Sequence, residues 1–131
     1  MQLQFLPAIG ALLEGGLYAG PVFNPEDQLL YALVLAKATP PKHLNWEDAQ
    51  AWAKTVEVDG HTDFKVPDRL QSLLLFHTMR DHIEQGWHWT STQRSGAGCA
   101  WSQSFNYGSQ YYDVKSYEGR VRAVRLIQIT T

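Results

Sequence analysis

Residues 29–36 read LLYALVLA, an almost uninterrupted apolar run within Gln28–Ala38. A segment with no polar side suits a strand covered on both faces, and a short buried helix has the same pattern. In front of it, Asn24-Pro25-Glu26-Asp27 is turn chemistry. Asn bonds its own backbone, and Pro presets φ at the second turn position. Ahead of the turn, Leu17, Ala19 and Pro21 alternate with Tyr18, Gly20 and Val22, which predicts a strand over Gly15–Phe23. The two runs read as an N-terminal hairpin over about 15–38.

Thr39-Pro40-Pro41-Lys42-His43 is a loop, and Asn45 with Asp48 three residues on offers a near capping box. Trp46, Ala49, Trp52, Ala53 and Val56 recur at helical spacing, so 46–57 is expected to be an amphipathic helix. After a second loop containing Gly60, Asp68 and Gln71 cap a second helix of about four turns. Its expected inner face is Leu70, Leu73, Leu74 and His77, with Met79 or Arg80 near the end.

From Gly86 onward the period changes to two. Trp87-His88-Trp89-Thr90-Ser91-Thr92 alternates in strong strand formers. Further strands are expected over Ala97–Phe105, Gln110–Tyr117 and Arg120–Thr130, separated by Gly96/Gly98, Gly108 and Gly119. The last is apolar on both parities, the pattern of a strand interior to its sheet. A hairpin, two helices and a strand-rich C-terminal half predict an α+β fold, two helices on a largely antiparallel twisted sheet, in one domain spanning 1–131.

The charged fraction is 18% and the net charge −2, with no basic run, so wholesale neutralisation of nucleic-acid phosphates is not expected. The start, MQLQFLPAIGALLEGGLYAG, lacks the basic opening of a signal peptide, is interrupted by Pro7 and Glu14, and is too short to cross a bilayer. Its apolar residues are expected to pack on the body of the domain. These readings imply no membrane insertion and a place in a host cytoplasm or a virion. Cys99 is the single cysteine, so no intrachain disulfide forms.

Landmarks in a fixed order carry a resemblance: Trp46-Glu47-Asp48-Ala49, Asp63-Phe64-Lys65-Val66-Pro67-Asp68, Trp89-Thr90-Ser91-Thr92 and Val121-Arg122-Ala123-Val124-Arg125. From about Leu44 to Leu126 the chain resembles the family of the C-terminal domain of collagen-like bacterial adhesins (Lcl C-terminal-like), whose signatures read W-x-x-A, D-W-R-L-P-T, Y-W-S-S-T and V-R-x-V-R. Phe64 stands for the family Trp, Lys65 for Arg, Asp68 for Thr and Thr90 for Ser, each keeping the physical role. The GG-x-Y-A-G stretch at 15–20 is similar to phage and prophage members. The resemblance implies a C-type-lectin-like fold related to formylglycine-generating enzyme and to phage variable receptor-binding domains. It also implies a homo-oligomer as one possible state, assembled through the domain's own surface because no heptad or collagen repeat is present.

No catalytic signature accompanies these landmarks. Cys99 lacks the partner thiol that formylglycine or copper chemistry requires, and Ala100 and Trp101 beside it suggest a buried, inert thiol. His43, His61, His77, His82 and His88 include no H-E-x-x-H, and His77 and His82 fall on different sides of a helix. Asn24-Pro25-Glu26 reads as a turn, and Asp59 and Asp63 as solvated or capping carboxylates. No metal, cofactor or catalytic residue is expected, and a non-enzymatic role follows.

Residues 102–112, SQSFNYGSQYY, carry no charge. Trp101, Phe105 and one of Tyr111/Tyr112 are expected inward. Ser102, Ser104, Asn106, Tyr107, Ser109 and the other tyrosine are expected outward, with Gly108 at a bend. Tyr supplies stiff contact area, and Ser and Asn supply adaptable hydrogen bonds. Thr90, Thr92, Gln93, Arg94 and Ser95 would rim this surface. Arg120, Arg122 and Arg125 are expected to pair with Asp113, Glu118 or helix carboxylates. The expected role is a phage-type binding module that recognises a protein or a bacterial surface ligand through 90–117. Competing expectations are an intracellular phage accessory protein that inhibits a host protein, and a retroelement-diversified receptor-binding protein, whose adenine-rich codons would leave the Asn/Tyr/Ser/Asp bias.

Overall fold

The computed structural model describes residues 1–95 and 98–130. The apolar run is a strand. β1 (Leu12–Leu13), β2 (Gly16–Asn24), β3 (Leu29–Leu35) and, from the far end of the chain, β7 (Val124–Gln128) form an antiparallel sheet in the order β1-β2-β3-β7. Leu33 and Leu35 of β3 join a cluster with Leu17, Leu75 and Met79. Ala32 and Val34 join one with Leu13, Tyr18 and Ile129, against which Met1 and Leu6 pack. Both faces of β3 are thereby covered, as its lack of a polar parity requires. The rest of the N-terminal segment is not inward: Leu3, Phe5, Ile9 and Leu12 are exposed.

α1 (Trp46–Thr55) starts at Asn45, whose side chain accepts from the Asp48 N–H at 2.9 Å. Its buried Trp46, Ala49 and Ala53 meet Phe64, Val66, Trp89, Ala100, Val121 and Ala123 in a second cluster. α2 (Arg69–Met79) starts at a full capping box: Asp68 accepts from Gln71 N at 2.8 Å, and Gln71 accepts from Asp68 N at 3.0 Å.

The face of α2 differs from expectation. Gln71, Ser72, Leu75, Phe76 and Met79 point inward, while Leu70, Leu73 and His77 are exposed and Leu74 is half-buried. The helix has 11 residues, about three turns, and Arg80 begins a 3-10 turn. Two stripes in this Leu-rich helix satisfy helical spacing, and a tertiary contact chooses between them. A β-bulge between Tyr18 and Gly20 frees the Ala19 carbonyl, which accepts from Thr78 Oγ1 at 2.7 Å. Phe76 packs on Phe105 from the same rotation.

A second antiparallel sheet has the order β4 (Trp87–Gln93), β5 (Cys99–Ser104), β6 (Gln110–Val114). The expected boundary at Gly96 and Ala97 lies outside the described residues, and β6 ends before Tyr117. The last strand was expected over Arg120–Thr130 and interior; it is shorter and stands at the end of its order. Its burial comes from layers instead of neighbours: Val121 and Ala123 face the second cluster, and Val124 the first. Residues 119–123 run between the two sheets, held by bridges of Gly119 to Leu44 and of Arg120 to His88. The result is an α+β fold with two helices and two curled antiparallel sheets.

At Gly16 the sheet tolerates no side chain. A Cβ there would overlap the Leu35 carbonyl oxygen, with the carbonyl carbon 2.7 Å away. Backbone on the core strand β3 cannot yield as a flexible side chain would. Gly16→Ala should therefore lower stability by about 2–3 kcal/mol, read as a shift in urea midpoint at unchanged m-value. An unmoved midpoint would mean that β2 and β3 separate more easily than their register implies.

Candidate functional site

β6 pairs only with β5, so among the described residues its outer edge carries backbone groups with no strand beside them. Cross-strand partners share a sheet face, which places Tyr112 with Trp101 on one side and Tyr111 with Ser102 on the other. Strand alternation alone predicts one of the two tyrosines inward. Both are exposed, Tyr111 at 62% and Tyr112 at 47%, because the covering layers end before this edge strand. Tyr107 is 85% exposed at the turn between β5 and β6. Val114 and Tyr117 extend the exposed surface.

The tyrosine edge is braced by stacked cations. The Arg94 guanidinium lies 3.7 Å over the Tyr112 ring, and that of Arg69 lies 3.7 Å over Trp101. Trp101 and Tyr112 meet edge to face at 5.5 Å. Arg69 Nε donates to Gln110 Oε1 at 3.0 Å, and Gln110 Nε2 donates to the Arg69 carbonyl and to Gln103 Oε1, both at 2.8 Å. This reciprocal bond ties the start of α2 to the start of β6. Cation–π pairs at partly exposed sites are worth about 0.5–1 kcal/mol each, enough to bias rotamers and cut the entropy lost on contact.

The small polar residues expected outward are largely committed to the fold. Ser102 is buried, and its Oγ donates to Asp113 Oδ2 at 2.9 Å. Half-buried Ser104 accepts the N–H groups of Asn106 and Tyr107 at 3.2 and 3.1 Å. Asn106 is exposed, but its Oδ1 accepts from Gly86 N at 2.9 Å. Ser109 is half-buried, its carbonyl accepting from Ser104 N at 2.9 Å. Gly108 turns at φ +82, where a Cβ would strike the Phe76 ring. Of the expected rim, Thr90 is fully buried and bonded to the Trp101 carbonyl, while Thr92 Oγ1 accepts from Arg69 N. Tyr107, Tyr111, Tyr112 and Arg94 remain exposed on this surface. Arg69, Trp101, Val114 and Tyr117 join them with no sequence signal strong enough to mark them, since their position depends on where α2 docks.

The arginines pair differently from expectation. Arg125 Nε donates to Asp63 Oδ1 at 2.8 Å and its Nη1 to the Glu14 carbonyl at 2.7 Å. Asp63 stays solvated, its side chain 57% exposed, and is an ion-pair partner as well; the Arg125 hydrogen bond holds its carboxyl below the usual range. Arg120 Nε lies 3.3 Å from Glu84 Oε1. Among the described residues Arg122 reaches no carboxylate: Nη1 donates to the His82 carbonyl at 2.9 Å and Nη2 to the Ala36 carbonyl at 2.8 Å. Cys99 is half-buried instead of buried. Among the described residues, no three His, Cys, Asp or Glu side chains gather as a metal site. No described helix is long and apolar enough to cross a membrane.

A concavity lies elsewhere, a cavity of about 490 Å³ between the 39–43 loop, the stretch around His82–Glu84 and residues 120–122. His88 closes one wall, with Nδ1 3.2 Å from the Gly86 carbonyl. Burial pushes this imidazole down to about 3, aided by the nearby charges of Arg122, Arg120 and His43. No protein-family model matches the chain, and no curated protein matches it.

Proposed function

We propose that this chain is a non-enzymatic binding module on a C-type-lectin-like scaffold of the phage and prophage type, related to the Lcl C-terminal-like family. It engages a protein partner through the β5–β6 edge. One observation carries the reading: Tyr111 and Tyr112 on the edge strand and Tyr107 at the turn before it stand exposed together, and Gln110, the first residue of that strand, is tied by its side chain to Arg69 and Gln103. Exposed tyrosines on a stiff support give large contact area at low entropic cost, and arginine beside them adds a directional donor. The free backbone of β6 offers a partner strand main-chain hydrogen bonds as well.

The test is a triple variant, Tyr107→Ala, Tyr111→Ala and Tyr112→Ala. Bait protein is presented to separated host cytosol and host envelope, and the protein captured by the parent is identified and purified. Binding by the triple variant should weaken at least about tenfold, with the parent's circular dichroism retained. Equal affinity of parent and variant for that partner would reject the surface. Recovery from cytosol alone would favour a module acting on a host intracellular protein. Recovery of a glycan from the envelope, in place of a protein, would replace the protein reading with a surface-ligand one.

A further inference from the structure

We propose that the cavity beside residues 120–122 is a binding site for a small organic anion bearing carboxylate or phosphate groups. Its walls bring together Lys37 and Lys42 from the loop after β3, and Arg120 and Arg122 from the approach to β7. Against these four permanent cations the lining supplies one carboxylate, Glu84. The imidazole of His43 also lines the cavity.

Arg122 makes this more than a basic surface. It is 7% exposed, and two carbonyls orient its guanidinium without neutralising it. Its Nε has no hydrogen-bond partner, and the Arg120 Nε contact with Glu84 falls outside hydrogen-bond geometry. Glu84 acts on Arg122 only as a charge beyond ion-pair distance, and a buried cation without a direct ion pair is costly, the usual compensation being an anion. The two carbonyls fix the Arg122 guanidinium in the wall, where its charge adds to those of Arg120, Lys37 and Lys42. Guanidinium forks suit the paired oxygens of carboxylate and phosphate. The volume of about 490 Å³ suits a small molecule, and Pro40 and Pro41 stiffen the rim.

This proposal is independent of the tyrosine edge, which lies on other strands. Inorganic phosphate and citrate serve as probes, each titrated against the whole chain at fixed ionic strength with chloride as balance. Backbone amide NMR shifts and the thermal midpoint are followed. Saturable shifts confined to residues 37–43, 82–88 and 119–122 are expected from at least one probe, with a midpoint rise that chloride does not reproduce. Lys42 is exposed, so Lys42→Glu leaves packing intact and should weaken binding about tenfold or more. Glu84→Gln removes the competing carboxylate and should tighten it. Citrate saturating alone would assign a carboxylate ligand, and phosphate alone a phosphorylated one. Responses that match chloride, or that are the same in Lys42→Glu and parent, would overturn the site.

Discussion

Trp89→Ala should cost about 4 kcal/mol of stability and lower the thermal midpoint by roughly 10–20 °C. Trp89 is 1% exposed and sits in the cluster that joins α1, Phe64 and the 121–123 segment to the second sheet. Its ring meets Trp87 edge to face at 5.0 Å, and its Nε1 donates to the Leu44 carbonyl at 3.0 Å. Alanine would leave a cavity the size of an indole and an orphaned carbonyl, and these add. A domain of ordinary stability has about 5–15 kcal/mol to lose, so the variant stands near the edge of folding at 37 °C. Trp89→Phe separates the two contributions. It retains most of the buried ring and gives up only the N–H, and should cost about 1–2 kcal/mol. Urea titrations of both variants decide the matter. Similar midpoints for phenylalanine and alanine would show that the hydrogen bond, and not the packing, is what Trp89 contributes.

Acid should destabilise this protein well above the range in which carboxylates titrate. His88 is 3% exposed and has its folded value near 3, against 6.5 for the free side chain. The unfolded chain therefore binds a proton between those values that the folded chain refuses. The stability from a neutral His88 is fully present above pH 6.5 and is lost as pH falls toward 3, at about 1.4 kcal/mol per pH unit. Over the whole interval the loss is on the order of 4–5 kcal/mol. The groups opposing protonation are the desolvating core around Phe105 and the charges of Arg122, Arg120 and His43; the Gly86 carbonyl works in the other direction. Asp63 adds a smaller acid-labile contribution at lower pH, present above 3.8 and lost as its Arg125-bound carboxylate is protonated. His88→Phe should flatten the limb between pH 6.5 and 4 by one proton, whatever it does to stability at neutral pH. An unchanged slope would place the linked proton on another group.

Much of the chain is legible locally, and the reasons are short-range. The Asn24 turn and the caps at Asn45 and Asp68 each follow from interactions within a few residues, whereas the apolar run at β3 is fixed as a strand only by its partners on either side. Facing is less legible. Ser102 has the residue type of a surface strand, yet it is buried, paired between Trp89 and Tyr111 and bonded to Asp113. The candidate edge was located by its tyrosines, but the stacking of Arg69 on Trp101 joins residues from α2 and β5, and no spacing encodes it.

Sequence alone indicated most of the elements, their order and the α+β class, because caps, turns and periodicity draw their energy from neighbours along the chain, whereas β1 and the shorter extent of β7 appear only in the fold. Tertiary structure decided which stripe of α2 turns inward, which small polar residues are buried, and that Lys37, Lys42, Arg120 and Arg122 share one cavity. Those outcomes depend on which layers meet. That choice is made by burying the most apolar area across distant segments, and no local pattern records it.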